Sequence, residues 1–217
     1  LPEDPYSGIG VPEHGYASHT PVTDGEKLFV FFGKAGVFAF DINDGSQLWH
    51  AEVGHGSDRM KWGSAASPIL YKDMVIVVAA DESASIRALD QATGEEKWKF
   101  DSEKLTLVYG TPAVVTSKDG RDEMIVCVSQ EVWGIDPATG KQLWTVTTPN
   151  NGAVSSSPIA DGDIVYFSGR GRIGGGTVAI RAGGEGDVTE SHVLWSVEES
   201  SDYPSAILAG NRLYWID

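Results

Sequence analysis

The sequence predicts an all-β fold: a β-propeller of four-stranded antiparallel blades in an incomplete ring, with about four and a half blades in this chain. Three observations carry that prediction. A unit of about 46 residues repeats, each unit breaks into short strands at Gly, Asp and Asn turns, and no stretch sustains a helical apolar period.

The repeat shows in three motifs of one spacing, Asp41-x3-Gly45-x3-Trp49, Asp90-x3-Gly94-x3-Trp98 and Asp136-x3-Gly140-x3-Trp144. A fourth copy starts at Ala179-Ile180-Arg181, passes through a Gly-rich insertion and regains its aromatic at Trp195. Upstream of the copies a small or polar residue precedes proline, at Thr20-Pro21, Ser67-Pro68, Thr111-Pro112 and Ser157-Pro158, and Tyr203-Pro204 opens a fifth unit. Successive prolines lie 47, 44, 46 and 46 residues apart, and successive tryptophans 49, 46 and 51.

One unit reads as four strands: residues 68–71, 74–80, 86–90 and 96–100, separated by turns at Lys72-Asp73, at 81–84 and at Ala92-Thr93-Gly94. The blades then cover about 19–50, 66–100, 110–146 and 156–197, with a partial one at 203–217, after a lead-in of residues 1–18. The second strands (28–32, 75–78, 124–128, 164–167) are almost wholly apolar, which predicts burial on both faces between neighbouring sheets.

The repeated residues have packing roles. Gly45, Gly94 and Gly140 supply the positive φ of a tight turn, and Asp41, Asp90 and Asp136 can hydrogen-bond its backbone. Trp49, Trp98, Trp144 and Trp195 sit on the outermost strand, where a large ring covers a junction between blades and its N–H finds a carbonyl. The prolines open innermost strands, where a missing N–H costs no ladder bond.

With 41% hydrophobic and 22% charged residues, the 217-residue chain has a globular balance. Sixteen Lys and Arg against 31 Asp and Glu give a net charge of −15, which excludes nucleic acid and anionic membrane surfaces as partners. The longest apolar run, residues 74–80, falls far short of the ~20 residues that span a bilayer, so no membrane insertion is expected, and no charged-then-apolar leader opens the chain. The single cysteine, Cys127, excludes an internal disulfide and a Cys-rich metal site, and its apolar neighbours make it a small buried hydrophobe.

The pattern Ala-x-Asp-x-x-Thr-Gly-x-x-x-Trp resembles the repeat of pyrroloquinoline-quinone (PQQ) type β-propellers. Residues 88–98 match it at every specified position, the third copy has Gly134 for Ala, and the first has Asp44 for Thr. The resemblance runs from about Ser18 onward, and no Trp-Asp dipeptide closes a unit, which sets the chain apart from WD-type propellers. The family includes quinoprotein dehydrogenases, which hold PQQ and Ca²⁺ on the axis, and members that bind no quinone, among them the propeller lipoprotein of the outer-membrane barrel-assembly machinery. It therefore implies two functions. One is a non-catalytic extracytoplasmic scaffold with no cofactor, which binds a protein partner or ligand. The other is part of a PQQ/Ca-dependent alcohol or sugar dehydrogenase. Alcohol-oxidising members carry an adjacent cysteine pair beside the quinone, and its absence from this stretch favours the scaffold, in a periplasmic or secreted setting.

Relatives have seven or eight blades. An uncovered sheet face of a few hundred Å², at about 25 cal/mol per Å², costs about 5–10 kcal/mol, comparable with the stability of a domain. The chain is accordingly expected to be a fragment of a longer PQQ-repeat protein; the alternatives are a homodimer that closes the ring, or further residues that complete it.

No nucleophile elbow, zinc-protease, phosphate-loop or EF-hand pattern is present, so no catalytic or metal residue is assigned. His14, His19, His50, His55 and His192 are scattered singly and read as solvated. Trp49 and Pro68 are 19 residues apart against 14 at the next two junctions, so the loop holding His55, Asp58, Lys61 and Trp62 is extended by five. Lys61 and Trp62 precede an innermost strand, where propellers present residues to the axial channel, and Tyr109 and Tyr203 hold comparable positions. These side chains could stack a planar ligand or grip a peptide, or simply plug the channel mouth. Asp119-Gly120-Arg121-Asp122-Glu123 reads as a solvated hairpin. The Gly-rich residues 169–176 look like a phosphate cradle clamped by Arg170 and Arg172, although no helix follows them. The candidate ligand-binding residues are thus Lys61, Trp62, Tyr109, Tyr203, Arg170 and Arg172.

Overall fold

The computed structural model describes residues 5–8, 11, 15–171 and 174–216, arranged in two compact units, Leu1–Leu107 and Val108–Asp217. In the first unit, β1 (Val22–Thr23), β2 (Lys27–Phe31), β3 (Val37–Asp41) and β4 (Gln47–Ala51) form one antiparallel sheet in chain order. β5 (Ile69–Tyr71), β6 (Met74–Ala79), β7 (Ser85–Asp90) and β8 (Glu96–Asp101) form the next. A core of Phe29, Phe31, Val37, Ala39 and Trp49 from one sheet and Val75, Val77, Ala79 and Leu89 from the other joins them.

The second unit repeats the plan. β9 (Ala113–Thr116), β10 (Asp122–Val128), β11 (Glu131–Ile135) and β12 (Gln142–Thr147) form one sheet, and β13 (Ile159–Asp161), β14 (Ile164–Gly171), β15 (Gly174–Arg181) and β17 (Val193–Val197) the next. Between the last two, β16 (Gly186–Asp187) leaves its own sheet and runs parallel to β12 as a fifth strand. β18 (Ile207–Ala209) and β19 (Arg212–Tyr214) make a two-stranded sheet. Ile125, Cys127, Val132, Trp144 and Val146 pack against Val165, Phe167, Val178 and Ile180 in the core of this unit. Besides Val11, helix among the described residues occurs as short turns at Gly33–Ala35, Ala80–Ser83 and Thr189–His192, and none there is long and apolar enough to cross a membrane.

The Asp-to-Gly turns are superimposable in their bonding. The amide of Gly45 donates to the Asp41 carbonyl at 2.9 Å, Gly94 to Asp90 at 2.9 Å and Gly140 to Asp136 at 2.8 Å, with glycine φ of 73°, 76° and 74°. Each Asp carboxylate accepts the amide two residues on, from Asn43, Ala92 and Ala138, at 2.8 Å. The register slips by one directly after Ala39, Ala88, Gly134 and Ala179, and each of these small residues lies opposite its unit's Trp. A bulge beside a small residue makes room for the indole. Trp49 uses that room to reach the next sheet: its Nε1 donates to the Gln91 carbonyl at 3.0 Å and its ring covers Gly94.

Four features differ from the sequence expectation. β6 is buried along its whole length and β10 in all but its first residue, but in β14 Ile164 and Tyr166 are only half-buried, Tyr166 lying tilted against the half-open ring of Trp195 at 6.1 Å between ring centres. Pro204 is not the equivalent of Pro158. The amides of Thr20, Thr111 and Ser157 donate to the hydroxyls of Ser67, Ser157 and Ser205, each at 2.9 Å, so the fifth unit is in register at Ser205 and Ala206 and the prolines mislead by two residues. Residues 169–171 and 174–176 are strand instead of a phosphate cradle, paired as Gly169 with Gly176, Arg170 with Gly175 and Gly171 with Gly174. Finally, Glu123 in the expected solvated hairpin is fully buried, accepting from Trp144 Nε1 at 2.6 Å, from the Gly183 amide at 2.9 Å and from the Arg121 guanidinium at 2.8 Å, while Asp119 stays exposed at the hairpin tip.

Trp144 lies so close over Gly134 that a Cβ there would enter the ring. Gly134→Ala is therefore expected to lower the unfolding free energy by about 3 kcal/mol through overpacking. Ala88→Gly, the reverse change at the equivalent position, is expected to cost only about 1 kcal/mol; denaturant titration of both variants measures the difference.

Candidate functional site

A dense polar constellation lies in the first unit, where the extended loop between β4 and β5 meets the β2–β3 and β6–β7 turns and residues 5–8. Close approach depends on glycine. Gly54 and Gly56 rest on the Glu82 carbonyl with no space for a Cβ, and the Gly56 amide donates to that carbonyl at 2.8 Å. Gly33 and Gly63 flank the Tyr6 ring in the same way. The Ser83 hydroxyl donates to the Val53 carbonyl at 2.7 Å, which fixes the root of the loop.

Two adjacent acids at the β6–β7 turn organise the rest. Asp81 accepts the Asp58 amide at 3.2 Å and the Gly63 amide at 2.9 Å, so it holds both ends of the 58–63 turn. Asp58 closes that turn from within, accepting the amides of Met60 at 2.7 Å and Lys61 at 2.8 Å, and Lys61 takes a left-handed φ of 54°. Glu82, only 2% exposed, accepts the Ser64 hydroxyl at 2.6 Å and the Tyr6 hydroxyl. The Tyr6 hydroxyl in turn accepts the Lys34 amide at 3.0 Å, and the Lys34 ammonium lies 5.1 Å from the Tyr6 ring centre. Burial pushes the Glu82 carboxyl above the usual carboxylate range. Asp81 is pushed up to about 7, by burial first and then by the charges of Asp58 and Glu82. Burial and the Glu82 charge hold the Tyr6 hydroxyl well above its ordinary pKa, so it remains a donor. With its oxygens committed and almost no exposure, Glu82 is placed to bind structure together and not to take a proton from a substrate.

The proposed ligand-binding residues do not form one group. Lys61 is exposed, and its carbonyl accepts the Gly8 amide at 2.8 Å; Trp62 is half-buried against Gly8. In the second unit Tyr109 is half-buried, its amide on the Val154 carbonyl at 2.8 Å, while Tyr203 is 75% exposed. The two tyrosines hold equivalent places, two residues before Thr111 and Ser205. Arg170 lies on β14, and Arg172 falls outside the described residues. Sequence reasoning missed Tyr6, Ser64, Asp81 and Glu82. The one available signal was an acidic pair directly after a wholly apolar strand.

Among the described residues no group of three or more His, Cys, Asp or Glu is arranged to hold a metal ion. His55 forms only an exposed pair with Glu52 at 3.5 Å, and His14 lies outside the described residues. His19 departs from the solvated reading: it is buried with its ring 4.4 Å from that of Phe31, and burial pulls its pKa down to about 4.

These sheets, turns and indoles are those of the PQQ-repeat β-propellers. The chain belongs to the family described as "Outer membrane protein assembly factor BamB", whose model matches residues 10–217. Among solved structures it is similar to BamB from Moraxella catarrhalis, at 14% identity and a TM-score of 0.54, over 91% of this chain and 79% of that one. It is similar also to a europium-containing methanol dehydrogenase, at 12% identity and a TM-score of 0.62, over 87% of this chain and 55% of that one. The quinohemoprotein alcohol dehydrogenase from Comamonas testosteroni matches at 16% identity and a TM-score of 0.57, over 90% and 38%. The chain thus spans about half or less of these dehydrogenases. No match was found among curated proteins. At such identities the structures establish the fold, an incomplete β-propeller of four-stranded antiparallel blades.

His19 gives the first unit a pH dependence of known sign. Its lowered folded pKa favours the neutral ring, so its contribution is complete above about pH 6.5 and is lost as pH falls towards 4. The difference in unfolding free energy between the wild type and His19→Leu is expected to shrink by about 3 kcal/mol from pH 7 to pH 4, measured by denaturant titration at each pH.

Proposed function

We propose that the chain is part of a non-catalytic, extracytoplasmic propeller scaffold that presents loops to a protein partner or ligand, and that it is a fragment of a longer PQQ-repeat protein. Cys127 is the observation that carries the first half of this reading. It is the single cysteine of the sequence, buried in β10 among the core side chains of its unit, and burial pushes its thiol up, so it supplies no exposed or paired sulfur to a quinone. Among the described residues no group of three or more His, Cys, Asp or Glu is placed to hold a metal ion, which supports the same reading, and no chemical step is assigned to this chain.

Trp195 supports the second half. Trp49 and Trp144 are 8% and 0% exposed, but Trp195 is 40% exposed, as are Ile207 at 66% and Tyr214 at 51% on the two-stranded sheet. Further blades of the same chain, or a second copy closing the ring, would cover that face. Lys61, Trp62, Tyr109, Tyr203, Arg170 and Arg172 are the positions proposed to touch a partner, with Tyr203 the most open aromatic among them.

The competing reading, part of a PQQ/Ca-dependent alcohol or sugar dehydrogenase, draws on the likeness to the methanol dehydrogenase. Incubation with PQQ and Ca²⁺ followed by desalting separates the two. The scaffold predicts no quinone absorbance retained with the protein and no dye-linked alcohol oxidation; a stoichiometric retained chromophore with such oxidation establishes the dehydrogenase.

A further inference from the structure

Two segments of the first unit, the extended loop and residues 5–8, converge on the Ala80–Ser83 turn, and carboxyl groups tie both of them down. Asp81 holds the two ends of the 58–63 turn, and Glu82 holds Ser64 and Tyr6. Asp58 points one oxygen at its own turn and has the other, Oδ2, buried with no hydrogen-bond partner among the described residues. The charged and titratable groups around these three acids are few. The β2–β3 turn contributes Lys34, the lead-in contributes Tyr6, and the loop contributes the exposed Arg59 and Lys61 and the outward-facing pair of Glu52 and His55. Glu3, Asp4, Glu13 and His14 lie outside the described residues.

We propose that Asp81 and Glu82, beside the carboxylate of Asp58, form a pH-dependent latch, which keeps residues 5–8 and the extended loop docked on the β6–β7 turn while Asp81 and Glu82 hold protons and releases them when these two ionise. Like charges crowded away from water repel strongly, and a carboxyl raised in the docked state binds its proton more tightly there than when released. Docking is therefore complete below the ordinary carboxylate range, near pH 4, and weakens as pH rises through about 7, where Asp81 loses its proton. Release breaks the bond between the Gly8 amide and the Lys61 carbonyl and uncovers Trp62, so the latch controls the presentation of these two residues. The four-stranded sheets keep their ladders throughout.

Hydrogen–deuterium exchange tests this on the protein at about pH 5.5 and about pH 8.5, with rates corrected for intrinsic exchange. Protection of residues 53–64 is expected to fall about tenfold or more relative to β6, the weight of one pKa unit, and to fall less than about threefold in Asp81→Asn. Because both Asp81 oxygens accept amides, Asp81→Asn is read only where its loop protection at about pH 5.5 equals that of the wild type; otherwise Asp58→Asn, which removes the neighbouring charge, is read in the same way. Loop protection that tracks β6 at both pH values, or an undiminished fall in the folded variant, overturns the latch.

Discussion

A sheet whose central strands are apolar on both sides cannot stand alone, and the rest of the structure follows from that constraint. β6 is buried along its whole length and β10 almost so, with the long axis of each sheet flanked by aliphatic side chains. Leaving such a face in water would cost about as much as a small domain's total stability. The first unit meets the demand by packing Phe29 and Phe31 against Val75 and Val77, the second by packing Ile125 and Cys127 against Val165 and Phe167. The recurring Asp, Gly and Trp are the means of doing this at a fixed spacing. The Asp–Gly turn sets where the outermost strand begins, the bulge beside a small residue opens a space, and the indole of Trp49 spans to the neighbouring turn. In the third copy Gly134 deepens the space, Trp144 sinks fully, and its N–H meets Glu123 instead of a carbonyl.

The fold was legible because it rests on local chemistry that recurs. A turn that needs positive φ asks for glycine wherever it occurs, and an alternation of short apolar runs with turn residues can be counted without knowing what lies across the fold. Where the copies diverge, the reading weakens for identifiable reasons. Pro204 looks like the earlier prolines, but the hydroxyl that accepts the Ser157 amide belongs to Ser205, and this bond, not the imide ring, sets the register. The insertion of the fourth copy returns to the third sheet as β16, a parallel pairing over a long separation that no periodicity announces. Glu123 shows the same limit: four charged residues around one turn suggest water, but its partners Trp144 and Gly183 are 21 and 60 residues away.

The carboxylate cluster was even less legible. Its acids come from an extended loop and a four-residue turn, with Tyr6 of the lead-in bonded to them, and the loop's length was the one part visible beforehand. Lys61 and Trp62 were correctly found to belong to an unusual loop, but the residues that position that loop, Asp81 and Glu82, lie on the next sheet. Their raised pKa values come from burial and mutual repulsion, properties of the assembled site that composition does not contain. A propeller scaffold of this kind separates two tasks. The sheets supply rigidity through repetition, and individuality is concentrated in the connections between them.

The central claim is that the two sheets of the first unit are coupled through the indole of one, Trp49, and the glycine turn of the next, at Gly94. A double-mutant cycle on Trp49 and Gly94, using Trp49→Phe and Gly94→Ala with unfolding free energies from denaturant titration, tests it most directly. The structure predicts a coupling energy of about 1 kcal/mol or more, because the added Cβ collides with the indole it replaces solvent against. Effects that add to within about 0.3 kcal/mol would show that the two residues act independently and that the sheets are not joined in this way.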